Sequence, residues 1–259
     1  MTVELAYRSY GEGPPIVILH GLFGSGRNWH ACAKRLAERY RVLAVDLRNH
    51  GRSPWADKMT YSHMIDDIRS LLVRQDIGNA TILGHSMGGK VAMLCSLLYS
   101  HLVDALIVVD IAPVRYAHSY TPYIDALKRL DLSGRPGRSE LENQLVEDIP
   151  DEATRKFLMQ NLVSHKGQFA WRVNLDAIRA HMTDLTGFPE LDDLPFDGPS
   201  LFIHGDRSDY VQPHHEEHIR MNFPLAEFAV IDDAGHRVHV DQPDRFVSRI
   251  DTFLRRAVV

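Results

Sequence analysis

The sequence predicts an α/β fold: a mostly parallel central sheet flanked by helices, with a helical cap inserted before the penultimate strand. Three observations predict it. Strand-like apolar segments alternate with helix-like ones toward both ends of the 259-residue chain. The alternation stops after Asp110 and resumes near Leu201. The apolar run Ala80-Thr81-Ile82-Leu83 ends in Gly84-His85-Ser86-Met87-Gly88 and passes directly into the helix-forming residues 90–99. Alternation of this kind builds a parallel sheet covered on both faces.

Each element has its own signal. Residues 5–10 alternate and stop at Gly11-Glu12-Gly13-Pro14-Pro15, which reads as a hairpin-type turn. Residues 16–19 form a short continuous apolar run, as expected of a strand covered on both faces. Cys32, Leu36 and Tyr40 give residues 29–40 helical spacing, and residues 42–45 form the next strand. Ile65, Ile68 and Leu72 fall on one face of a helix over 61–75. Strand 81–83, helix 87–99 and strand 106–109 follow. From 113 to 199 there is no clean strand pattern. Helices are expected at 123–130, 139–146, 152–162 and 175–181, with turn-rich stretches at 133–137 and 192–199. Strand 201–204, helix 213–221, strand 226–231 and helix 243–254 complete the chain. Residues 1–112 and 200–259 therefore read as one core domain, and 113–199 as a cap inserted into it.

Composition excludes several functions. A net charge of -5 offers no basic surface for nucleic acid or anionic lipid. The longest apolar run, near 105–109, stops at Asp110, short of the roughly 18 residues a membrane span needs. Residues 1–11 carry Glu4 and Arg8 and lack the apolar core of a signal peptide. Cys32 and Cys95 lie in helix-like segments and read as small core residues in a reduced compartment, the cytoplasm. No metal is expected: His214, His215 and His218 sit with Glu216 and Glu217 on what reads as a solvated helix face.

The chemistry centres on Ser86. A tight turn from strand to helix holds its hydroxyl clear of the sheet, and Gly84 and Gly88 let strand and helix approach closely. Serine catalysis also needs a base, an acid that orients the base, and oxyanion donors. The base is read as His236, in Ala234-Gly235-His236 after the last strand. His239, His63 and His118 read as surface loop histidines. The acid is Asp110 at a strand end, or else Asp206 or Asp209 in the loop after strand 201–204. Oxyanion donors are expected from the N–H of Met87 and from the loop His20-Gly21-Leu22-Phe23-Gly24, with Leu22 first and Phe23 second. Phe23, His85, Tyr116, Tyr120 and Trp171 are expected to line a substrate pocket, with Tyr123, Phe157, Phe169 and Phe188 as further aromatic candidates. The loop Gly21-Leu22-Phe23-Gly24-Ser25-Gly26, with Asp46 about twenty residues on, also suggests a dinucleotide site. Its glycine spacing differs from Gly-x-Gly-x-x-Gly, and the chain has no Tyr-x-x-x-Lys, so that reading is set aside.

These motifs resemble the α/β-hydrolase superfamily along nearly the whole chain. His20-Gly21, Asp46-Leu47-Arg48-Asn49-His50-Gly51-Arg52-Ser53, Gly84-His85-Ser86-Met87-Gly88-Gly89 and Gly235-His236 occur in the expected order. Within it the chain looks like the YbfF-type small bacterial esterases and related abhydrolase-domain proteins. The stretches that carry this likeness are His20 to Ser25, Val109-Asp110-Ile111-Ala112-Pro113-Val114 and Trp171-Arg172-Val173-Asn174-Leu175. The resemblance implies an α/β-hydrolase fold and a cofactor-free hydrolase of small-molecule esters, with acyl thioesters as a further substrate class. Many superfamily members carry their acid in Gly-x-x-Asp after the penultimate strand. Here that place, counted from Gly205, is Ser208. The YbfF-like group uses an Asp after the preceding strand, a role that carries over to Asp110. Two other readings keep the fold: a carbon–carbon bond hydrolase or cofactor-free perhydrolase, and a small-molecule receptor or scaffold. The sequence does not give the oligomeric state.

Overall fold

A computed structural model describes residues 1–134, 136–165, 167–191 and 194–258. Arg135, Asp192 and Asp193, from the two turn-rich stretches, lie outside the described residues. The strands are β1 (Tyr7–Tyr10), β2 (Pro15–Leu19), β3 (Arg41–Val45), β4 (Ala80–His85), β5 (Val103–Val109), β6 (Leu162–His165), β7 (Gln168–Trp171), β8 (Ser200–Gly205) and β9 (Ala226–Ile231). Seven of them form one sheet in the order β1-β3-β2-β4-β5-β8-β9. All its pairings are parallel except that of β1 with β3.

The inner strands are continuous apolar runs because both faces are covered. Val17 and Leu19 pack on one side of the sheet, Ile16 and Ile18 on the other. β5 divides in the same way, with Leu106 and Val108 opposed to Ala105, Ile107 and Val109. One layer contains α1 (His30–Leu36) and α11 (Pro243–Ala257), joined through Trp29, Leu36, Phe246 and Phe253. The other contains α2 (Tyr61–Arg74), α3 (Met87–Leu98) and α9 (His215–Asn222). The remaining helices are α4 (Thr121–Arg129), α5 (Arg138–Asn143), α6 (Glu152–Met159), α7 (Leu175–Ala180), α8 (Met182–Thr186) and α10 (Val238–Asp241). None of the described helices is long and apolar enough to cross a membrane.

Two expectations are corrected. The Gly11–Pro15 turn does not close a hairpin, because β1 pairs with β3 (Tyr7 opposite Val45) and β2 lies on the far side of β3. The turn instead carries the chain past the end of β3. Gly11 and Gly13 adopt positive φ there, and a Cβ on Gly11 would sit 2.3 Å from the Ala37 carbonyl oxygen. Residues 113–199 also contain strands: β6 and β7 form a separate antiparallel hairpin, with Leu162 opposite Trp171. Ser164, Gln168 and the short strands gave it no readable alternation.

Residues 113–199 are tied to the core by Lys90. This lysine lies on α3 and is buried, and its ammonium donates to the carbonyls of Val114, Thr186 and Gly187 at 2.9, 2.9 and 2.6 Å. The contact joins Val114 and the Thr186–Gly187 segment to one turn of helix.

Candidate active site

Ser86 stands between β4 and α3 with φ 52° and ψ -120°. A non-glycine residue held there costs about 1–3 kcal/mol and needs support from its surroundings. The flanking glycines provide it. A Cβ on Gly84 would lie 2.1 Å from the Gly88 carbonyl oxygen, and one on Gly88 2.5 Å from that of Leu19. The Ser86 N–H donates to the Val109 carbonyl at 3.0 Å, which fixes the turn to the end of β5.

Asp110 is the next residue of that same strand end. It too has positive φ (53°), and its N–H donates to the Ile203 carbonyl at 2.8 Å. Its carboxyl is fully buried. His236 Nδ1 donates to Oδ2 at 2.6 Å, and Ser208 Oγ donates to the same oxygen at 2.5 Å. The structure thus brings together Asp110 and His236, and it does not bring Asp206 or Asp209 to the imidazole. Asp206 accepts the Ala234 N–H at 3.2 Å, and exposed Asp209 meets Gln212 Nε2 at 3.4 Å. Ser208, three residues after Gly205, thus reaches the site as a donor to the Asp110 carboxyl.

Burial sets the electrostatics. It pushes the Asp110 carboxyl up, a shift that the Ser208 hydroxyl opposes. It holds the His236 imidazole well below its ordinary value, with His118 and Arg237 adding to the effect. His236 is therefore neutral near pH 7, and its proton on Nδ1 faces Asp110. That leaves Nε2 as the basic nitrogen. The Tyr210 ring stacks on the imidazole at 3.9 Å and 17°. The Tyr210 hydroxyl meets those of Tyr120 and His118 Nε2 at 2.8 and 3.2 Å.

The candidate oxyanion donors lie on two elements. Met87 is the first residue of α3, so its N–H has no acceptor within the helix. The Leu22 N–H has no acceptor among the described residues. Phe23, the second choice, does not fit, because its N–H donates to His50 Nε2 at 3.1 Å. Two buried histidines frame this loop. His50 Nδ1 donates to the Arg48 carbonyl at 3.0 Å, and His20 Nε2 accepts the Leu47 N–H at 2.9 Å. Burial pushes His20 down to about 4 and His50 to about 3, so both are neutral struts. Asp46 points inward and accepts the N–H groups of Gly26 and Arg52 at 2.7 and 2.9 Å. The carboxylate that a dinucleotide site would direct at a ribose therefore holds the loop instead.

Ser86 and His236 open on one cavity of about 470 Å³. Phe23, His85, Tyr120, Tyr123 and Phe157 line it. Tyr116 lines a separate cavity of about 30 Å³ on the Met87 side. Trp171 lines neither; it lies on β7, half-buried against the core, and Phe169 and Phe188 are likewise packing residues. One histidine read as a surface residue is corrected. His239 is buried, stacks on Trp29 at 3.9 Å and lines the main cavity, because α10 turns its ring inward. His118 is an exposed loop residue, as read, and borders the smaller cavity beside Tyr210. Among the described residues, no group of three or more His, Cys, Asp or Glu side chains is arranged to hold a metal.

Residues 16–249 match the model of the alpha/beta hydrolase family. The chain belongs to that family. This alpha/beta hydrolase is 42% identical over 264 residues to an sn-1-specific diacylglycerol lipase of Danio rerio, an alignment covering 98% of this chain and 83% of the relative. It is 34% identical over 241 residues to esterase YbfF of Escherichia coli K12, covering 93% and 92%. The solved structure of a marine microorganism esterase superposes with a TM-score of 0.94 at 38% identity, covering 98% of this chain and all of that one.

The sequence carried no signal for Tyr210 or for the Ser208 hydroxyl bond. His50 lay within a quoted motif, but its role as a brace for the Phe23 amide appears only once the loops are folded.

Proposed function

We propose that this alpha/beta hydrolase cleaves carboxylic esters through an acyl-enzyme on Ser86. The observation that carries the reading is the Asp110–His236 hydrogen bond of 2.6 Å, opening on the cavity that also exposes Ser86. His236 takes the Ser86 proton as the serine oxygen attacks the ester carbonyl. The negative oxygen of the tetrahedral intermediate accepts the Leu22 and Met87 N–H groups. The carbon–oxygen bond to the alcohol breaks, and the alcohol leaves with the proton from His236. Water then adds to the acyl group, gives its proton to His236, and releases the acid as Ser86 regains that proton. Asp110 holds the tautomer and stabilises the transient imidazolium. Residues 113–199 act as the cap, since Tyr120, Tyr123, Phe157 and Leu158 roof the cavity beside the nucleophile.

Relatives named as an esterase and a diacylglycerol lipase support ester substrates. Acyl thioesters have the same carbonyl geometry and are a second substrate class. Two buried free thiols suit a reducing compartment, the cytoplasm. Ser86→Ala is expected to abolish turnover of a short p-nitrophenyl ester, with unchanged circular dichroism. A fluorophosphonate probe should label the wild type rapidly and the variant not at all. Retained turnover in the variant refutes the mechanism, and an unlabelled wild type favours a binding protein on this fold.

A further inference from the structure

A second large cavity, of about 430 Å³, adjoins the first, and Phe23, Asn28 and Gln160 line both. The Asn28 amide donates to Gln160 Oε1 at 3.1 Å and braces this common wall. The lining of the second cavity includes three arginines, Arg27, Arg138 and Arg172, and no acidic residue. Among the described residues none of the three enters an ion pair. In a chain of net charge -5, three unneutralised cations around one cavity are not a by-product of a basic surface. Arg138 is held in place by bonds to the Leu162 and Met159 carbonyls at 2.9 and 2.5 Å.

Arg27 and Arg138 are exposed and Arg172 is half-buried, so the three guanidinium groups border a cavity open to an entering anion. A carboxylate offsets one of them. A phosphate monoester carries about -1.5 to -2 charges and three acceptor oxygens, which suit several arginine forks together. The apolar residues Leu22, Phe23, Tyr120 and Phe157 belong to the Ser86 cavity and suit an acyl chain. A substrate whose alcohol part passes the shared rim of Phe23, Asn28 and Gln160 would carry its polar end into the arginine-lined cavity. We propose that the arginine-lined cavity is a subsite for a phosphate on the alcohol part of the substrate. This rests on the ester hydrolase reading and narrows its substrate class to phosphorylated esters.

The test compares matched esters at two spacer lengths: 1-butyrylglycerol with its 3-phosphate, and 6-hydroxyhexyl butyrate with 6-phosphohexyl butyrate. In the wild type, kcat/KM should favour the phosphorylated member of at least one pair by about tenfold or more, mainly through KM. The Arg27→Gln/Arg172→Gln double variant should bring that ratio close to one, and Arg172→Lys should retain part of it. Because each ratio is internal to one preparation, partial misfolding of a variant cancels. A wild-type ratio near one in both pairs overturns the proposal, as does a preference that survives the double substitution. Ser86-dependent cleavage of the unphosphorylated esters would still uphold the ester hydrolase reading, so the two failures are distinguishable.

Discussion

Ser86 and Asp110 both sit at positive φ, 52° and 53°, at the ends of adjacent strands. Strain of this kind persists where the surrounding structure fixes it, and here it aims one hydroxyl and one carboxyl out of the sheet. Asp110→Asn keeps the shape but removes the charge that orients His236. Its kcat is expected to fall about 10³- to 10⁴-fold on a short ester, whereas Asp209→Asn should remain near wild type. A near-normal rate in Asp110→Asn would refute its role. The pH dependence follows from burial. The proposed mechanism needs neutral His236 and ionised Asp110. Burial lowers the imidazole and raises the carboxyl, so the pair takes up its inactivating proton only at acid pH. The acid limb of kcat/KM should fall below the ordinary imidazole value of 6.5, and a limb at or above it would contradict this account. That Ser86 and His236 would border one cavity was legible from motif and order. Asp110 was separated from Asp206 and Asp209 only by resemblance, because loop reach in space has no signature in spacing. Tyr210 was invisible for the same reason.

Helix α3 presents Ser86 at its start and, one turn later, grips the inserted stretch through Lys90. Three carbonyl acceptors account for the three ammonium protons, so the residue works as a clamp. Lys90→Met is expected to leave those carbonyls unpaired and cost about 3 kcal/mol. In a domain of this size that lowers Tm by roughly 6–12 °C in a thermal melt. A loss of under about 2 °C would show that the clamp is dispensable. Core elements were well legible because continuous apolar strands and one-sided helices carry strong periodicity, as in β2, β4 and α2. The β6–β7 hairpin was not. Its strands are short and partly polar, and they pair only with each other, so no large buried face imposes a pattern on them.

At the level of the whole molecule, two apolar layers enclose the sheet, and each takes one cysteine. Cys32 packs among the α1–α11 residues and Cys95 among those of α2 and α3. Burial pushes the Cys32 thiol up to about 11 and Cys95 to about 12. Both are expected to resist iodoacetamide near neutral pH in the native protein and to react fully in denaturant, as read by intact-mass spectrometry. Fast native labelling would show a looser interior than the structure has. The sheet order was legible only in part. Strand identities follow from local pattern, but the placing of β1 beyond β3 depends on a path around the sheet edge that two glycines allow. β5 and β8 are neighbours, and both release their following loops beside His236. A carboxylate delivered from either strand can therefore face the same imidazole, and Ser208 already touches that of Asp110. In the proposed mechanism the acid is thus an exchangeable part.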